Sequence, residues 1–168
     1  VYKRQVKNYG KKIAVIDNEE KLTFIQLYEE VKKFSNNISI LNKEKIISLV
    51  SENSISFIIA YLGIINSGKI VHLISPEISE INLFNQLKSS ESKNIICNQL
   101  MKNKISNFDS IKTTIFEIEE ILLKHNNKKV KSNVNELAYL IYTSGTTSEP
   151  KGVTVSHSMI EFLSLIHI

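Results

Sequence analysis

The stretch Thr143 to Lys151, TSGTTSEPK, carries hydroxyls on Thr143, Ser144, Thr146 and Thr147, a glycine at Gly145, a proline at Pro150 and one ammonium, Lys151. An apolar run, ELAYLIY, leads into it and a β-branched run, GVTV, leads out. Hydroxyls, backbone N–H groups and one flexible cation on a short loop suit a polyphosphate. Each charge-assisted hydrogen bond to a phosphate oxygen is worth roughly 1.5–3 kcal/mol. Gly145 lets the backbone come close or turn with φ > 0, and Pro150 fixes the turn before Lys151. Gly145 and Lys151 have the separation of the pattern G-x-x-x-x-G-K-(S/T). Pro150, however, stands where that pattern has its second glycine, and Gly152 where it has a hydroxyl residue. Proline has no N–H to offer an amide nest, and the strand-like segment after Lys151 brings no helix N-terminus to the phosphates. Side-chain hydroxyls would therefore do the holding. Spacing alone also leaves open a Ser/Thr-rich surface hairpin, and a phosphotransferase using the stretch as an unusual phosphate loop.

Other chemically capable residues carry weaker signals. His157 follows the second strand, where it either begins a helix or faces a substrate. His72, inside IVHLI, reads as a packed strand residue, and His125 as a solvated loop residue. Asp17, Glu19, Glu20, Glu29 and Glu30 read as surface charge. The single cysteine, Cys97, excludes an internal disulfide and a cysteine-based metal cluster; at the end of NIIC it reads as a buried structural thiol.

The 168 residues suffice for one domain with a sizeable core. Hydrophobic residues make up 42% and charged residues 23%, an ordinary globular composition. The net charge of +4 comes from lysines and a single arginine, Arg4, scattered along the chain. That argues against a nucleic-acid reader, which would cluster arginine forks and aromatics on one face. Lys, Ile and Asn supply 64 of the 168 residues, so AT-rich coding accounts for the basicity. The longest apolar run, Phe57 to Ile65, is too short to span a bilayer, and no signal-peptide pattern opens the sequence. The expectation is a cytoplasmic protein.

The elements that must position the loop follow from periodicity. LTFIQLYEEVKKFSNNISIL opens with a capping box, Thr23 to Gln26, and then places Leu27, Val31, Phe34, Ile38 and Leu41 at helical spacing. Lys45 to Val50 reads as a buried strand. SISFIIAYLGIINSG reads as a helix apolar on nearly every face, with Gly68 suited to its C′ position. KIVHLI is a strand stopped by Pro76. SEINLFNQLKSS is an amphipathic helix with Ile81, Phe84 and Leu87 on one side, and NIIC is the next strand. Residues 98–133 are harder to read: TTIFEI is a strand and EEILLKHNNKK a helix fraying into a loop. Strands alternating with helices predict an α/β fold, a mainly parallel sheet with helices on both faces. Ligands of such sheets sit at the carboxyl ends of strands, which is where Thr143 falls.

YTSGTTSEPKGVTVSH closely resembles the signature loop of the adenylate-forming superfamily of acyl- and aryl-CoA ligases, luciferases and peptide-synthetase adenylation domains, whose usual form is (S/T)-S-G-(S/T)-T-G-x-P-K-G. KLTFIQLYEEVKKFSNNI, IISLVSENSISFIIAYLGIINSGKIVHLISPEIS and KSSESKNIIC are similar to its earlier segments, so the resemblance covers most of Asn8 to Phe162. It implies part of the large N-terminal domain of an adenylate-forming (AMP-binding) enzyme. It also implies ATP- and Mg²⁺-dependent activation of a small-molecule carboxylic acid to an acyl-adenylate with release of pyrophosphate. A thiol, of coenzyme A or of the phosphopantetheine on an acyl-carrier protein, would then accept the acyl group. Carried over by position, the phosphate-holding role falls on Thr143, Ser144, Gly145, Thr146, Thr147, Lys151 and Gly152, with His157 a candidate for the substrate. One departure is Ser148, which replaces a glycine; if that glycine uses φ > 0, serine costs about 1 kcal/mol or more.

The family's adenine- and ribose-binding residues, its Mg²⁺-holding acid and its C-terminal catalytic lysine have no counterpart here, so no catalytic residue is assigned. Residues 1–162 are expected to be an incomplete N-terminal AMP-binding domain, exposing apolar surface and inactive alone. Residues 163–168, LSLIHI, match the reading frame of a sequencing-library adapter and are expected to be a non-native tail. A stand-alone nucleotide-binding or interaction module is the alternative. The segment AYLGIINSGKIVHLISP leans toward acyl- or aryl-CoA ligases over amino-acid adenylation domains.

Overall fold

The chain was analysed as a computed structural model, which describes residues 2–41, 44–124, 136–143 and 151–166. A helix, α1 (Tyr2–Tyr9), precedes a small antiparallel hairpin, β1 (Ile13–Asp17) and β2 (Glu20–Thr23). Thr23 then starts α2 (Phe24–Asn37): its hydroxyl accepts the Gln26 N–H at 3.3 Å, and the Gln26 carboxamide accepts the Thr23 N–H at 2.9 Å. This is the capping box that the sequence predicts. One face of α2 buries Leu27, Val31 and Phe34.

A 3₁₀ turn (Ile38–Leu41) leads to β3 (Ile46–Val50), α3 (Ile55–Asn66), β4 (Ile70–Ile74), α4 (Glu80–Ser90), β5 (Asn94–Cys97), α5 (Gln99–Ser106), β6 (Thr114–Glu117) and α6 (Ile118–Leu123). α3 ends in a Schellman motif: the Gly68 N–H donates to the Ile65 carbonyl at 3.0 Å and the Lys69 N–H to the Ile64 carbonyl at 3.3 Å. The motif needs a left-handed residue at C′, and Gly68 has φ 79°. The Lys69 ammonium turns inward and donates to the Leu41 and Glu44 carbonyls, each at 2.7 Å. It ties the 3₁₀ turn to the start of β4, and burial pushes its pKa down.

β7 (Leu137–Thr143) and β8 (Lys151–Ser156) complete a six-stranded sheet of order β6-β5-β3-β4-β7-β8 before α7 (His157–Ile166). The pairs from β6 across to β7 are parallel; β8 runs antiparallel on β7. The α/β expectation holds, with helices on both faces. Ile47, Leu49, Val71 and Ile96 pack one face against α2, α3 and α6. Val50, Ile74, Ile95 and Cys97 pack the other against α4 and α5. Burial of each such side chain contributes about 1.5–3 kcal/mol.

Two readings need correction. α4 buries Leu83 and Leu87, whereas Ile81 is 72% and Phe84 42% exposed. The stripe at i, i+4 faces the sheet, and the competing stripe through 81 and 84 faces out. Asp17 is not simply solvated: its Oδ2 accepts the N–H of Ile55 at 3.3 Å, a first-turn amide of α3. A carboxylate suits the positive end of that helix. Residues 98–133 resolve in part into α5, whose first turn is capped by Asn98 Oδ1 accepting the Met101 N–H at 3.0 Å. α7 extends through Ile166, so four residues of the expected tail are helical.

Candidate functional site

The connection after β3 runs over one face of the sheet through α3, and the connection after β4 returns over the opposite face through α4 to the far side of β3. The two loops therefore part at the carboxyl ends of β3 and β4. Such a reversal point is where open α/β sheets bind ligands. A cleft of about 620 Å³ lies there, bounded by Ser51 and Asn53 after β3, the 75–79 segment after β4, Asn82 and Gln86 of α4, and Tyr142 and Thr143 at the end of β7. Glu77 is the charged residue among those described along its lining.

β7 and β8 bring the two ends of the predicted loop to this edge of the sheet. Their antiparallel register sets Thr143 opposite Lys151 and Tyr142 opposite Gly152. Thr143, Lys151 and Gly152 are exposed. The two ends of the hydroxyl-rich stretch thus stand side by side at the carboxyl edge of the parallel sheet, with Thr143 on the cleft wall. Ser144, Gly145, Thr146 and Thr147, together with Ser148, lie outside the described residues. Gly152 is also a packing requirement: a Cβ there would stand 3.1 Å from Leu140 Cδ1 and 3.3 Å from Tyr142 Cζ.

His157 is the first residue of α7. The Ser156 hydroxyl caps the helix by accepting the Met159 N–H at 3.2 Å, and the His157 N–H donates to the Glu136 carbonyl at 3.1 Å. Partial burial lowers its pKa. His72 is fully buried, with Nδ1 3.0 Å from the Ser48 hydroxyl. Burial pushes its imidazole down to about 4, slightly opposed by the Gln86 side chain. Cys97 is buried with its thiol pushed up to about 12 by desolvation, which makes it an inert core residue. Asn53 and Gln86 carry no sequence signal as site residues, because each reaches the cleft through packing with a distant element, whereas Tyr142 comes as the chain neighbour of Thr143.

A model of the family described as AMP-binding enzyme matches residues 2–166. The chain belongs to this family, whose members form adenylates. Among curated relatives of this AMP-binding chain, gramicidin S synthase 2 of Brevibacillus brevis is 31% identical over 172 residues, covering 99% of the chain and 4% of that protein. O-succinylbenzoate coenzyme A synthetase from Bacillus subtilis, solved with AMP, superposes with a TM-score of 0.86 at 19% identity, over 98% of this chain and 44% of that one. A nonribosomal peptide synthetase bound to α-methyl-L-serine-AMP gives 0.81 at 19% identity, over 96% and 18%. The solved structures establish the fold as that of the N-terminal domain of adenylate-forming enzymes. The chain therefore spans less than half the length of each of these relatives.

Proposed function

We propose that this chain supplies the polyphosphate-holding part of an AMP-forming ligase. In the full-length protein a carboxylate oxygen attacks the α-phosphorus of ATP. The bond from that phosphorus to the bridging oxygen breaks, and pyrophosphate leaves with the electron pair. A thiol, of coenzyme A or of a carrier-bound phosphopantetheine, then attacks the acyl carbon and AMP leaves. Such displacements ask a protein mainly for positioning and for neutralising charge on the leaving group.

The observation that carries this reading is the pairing of Thr143 with Lys151 at the carboxyl edge of the sheet, beside the cleft. Lys151 supplies the cation for the β- and γ-phosphates. Thr143, Ser144, Thr146 and Thr147 supply hydroxyl donors, and Gly145 and Gly152 supply close backbone approach. Mg²⁺ enters with ATP as the substrate complex. Among the described residues no group of three His, Cys, Asp or Glu side chains converges to hold an ion, and none is assigned to it. The domain in this reading is residues 1–162, followed by a tail at 163–168, and its compartment is the cytoplasm.

An amino-acid substrate is the second reading, favoured by the 31% identity to a gramicidin synthase. Titration of inorganic pyrophosphate into the chain, followed by ³¹P NMR, tests the phosphate site. Lys151→Ala should weaken binding about tenfold or more, the loss of one charge-assisted bond. Equal affinities for the two proteins would sink the assignment. The 168-residue chain should show no carboxylate-dependent ATP–pyrophosphate exchange, while the longer protein should, and its preferred acid distinguishes the two readings.

A further inference from the structure

His72 has no part in the chemistry above, yet its surroundings are built. Ser48 on β3, His72 on β4 and Leu140 on β7 are register partners across three adjacent parallel strands. Tyr142 follows Leu140 on the same face by strand alternation. Behind the imidazole runs a chain of hydroxyls. The Ser48 Oγ lies 3.0 Å from His72 Nδ1 and donates to Ser92 Oγ at 2.9 Å. Ser92 Oγ also accepts the Ser48 N–H at 3.1 Å and donates to the Asn94 carbonyl at 3.2 Å. With the Ser92 hydrogen committed to Asn94 and the Ser48 hydrogen to Ser92, the contact between Ser48 and His72 is left to the Nδ1 proton. The imidazole is then the Nδ1–H tautomer, and its Nε2 makes no hydrogen bond of normal length among the described residues, with the Gln86 side chain beside the ring.

In front of the imidazole lies Tyr142, ring centroids 5.2 Å apart and planes inclined by 56°. The Tyr142 ring also lies against Gly152, where a Cβ would stand 3.3 Å from Cζ and 3.4 Å from Cε1. One row of contacts therefore runs from β3 through β4 and β7 to β8. It ends one residue short of both Thr143 and Lys151.

We propose that His72 is a positioning residue for the phosphate hairpin. As an Nδ1–H imidazole oriented by Ser48 and Ser92, it seats the Tyr142 ring on Gly152 and so holds Thr143 opposite Lys151 at the cleft. A hydrocarbon of the same size would fill the space but would not be oriented by the hydroxyl chain. The inference rests on the functional reading above, and the test separates the two.

Imidazole ¹⁵N NMR on the chain should show a protonated Nδ1 and an unprotonated Nε2 at His72. Ser48→Ala should switch the tautomer, shift the Tyr142 ring signals and weaken inorganic pyrophosphate binding about tenfold. His72→Leu should weaken binding to the same degree, and His72→Asn, which keeps a donor toward Ser48, should restore most of it. An Nε2–H tautomer in the unsubstituted chain overturns the proposal even if a variant fails to fold. Pyrophosphate binding that is unchanged in both Ser48→Ala and His72→Leu overturns it while leaving the phosphate site intact. An unsubstituted chain that binds no pyrophosphate overturns the phosphate site and this proposal with it.

Discussion

Gly63→Ala probes the contact between α2 and α3. The site lies in the interior of α3, where α2 crosses it. A Cβ on residue 63 would stand 2.5 Å from Phe34 Cδ1, 3.1 Å from Cγ and 3.2 Å from Cβ. Phe34 is fully buried, so the ring cannot swing clear without moving its neighbours. Overpacking of this kind costs about 1–3 kcal/mol, while replacing a mid-helix glycine by alanine returns about 1 kcal/mol of propensity. The net expectation is a loss of about 1 kcal/mol, which lowers Tm by about 2–4 °C in a domain of this size. Because the two contributions partly cancel, the decisive measurement is a double-mutant cycle with Phe34→Leu, read by urea denaturation and circular dichroism. In the Phe34→Leu background the clash is relieved, and Gly63→Ala should become stabilising by up to about 1 kcal/mol. The coupling energy should be about 1–3 kcal/mol. A coupling near zero would refute the claim that residue 63 is glycine because of Phe34.

Three further outcomes are expected. Between pH 6.5 and 5 an unfolded imidazole gains a proton, whereas His72 stays neutral down to about 4; the unfolded state then binds more protons, and stability falls as pH drops. That contribution is about 1–2 kcal/mol over the interval, and urea midpoints should show it missing in His72→Asn. Cys97 should resist a thiol reagent in the native state and react once denaturant is added, since its thiol is buried and pushed up to about 12; prompt native reactivity would contradict its burial. If position 148 requires φ > 0, where serine costs about 1 kcal/mol, Ser148→Gly should tighten pyrophosphate binding by up to about fivefold, and an unchanged affinity would mean the position has no such requirement.

What could be read ahead of the structure was local. Thr23 and Gln26 are three residues apart, and Gly68 closes α3 within its own segment, so these two helix ends were legible. The face of α4 was not. Ile81 and Phe84 compete with Leu83 and Leu87 on the same helix, and the choice is made by β3, β4 and β5 beneath it. Asp17 reaches α3 across 38 residues, and Ser48 finds Ser92 across 44; no window of sequence contains either pair. The candidate site divides in the same way. Thr143, Lys151 and Gly152 were legible as a motif, because they fall within one short continuous stretch of sequence. Gln86 joins through the packing of α4 on the sheet, and His72 through strand order.

The antiparallel β7–β8 pairing has a kinetic consequence. Parallel neighbours such as β3 and β4, or β4 and β7, can meet only after a crossover has closed, and β4 and β7 are more than 60 residues apart in the chain. A hairpin needs no such search and forms on a timescale of about 1–10 μs. The two strands that carry Thr143 and Lys151 can therefore zip together before the sheet that will receive them exists. Docking of the Tyr142 ring against β4 would then be the later event, and the step that converts a local hairpin into part of a site.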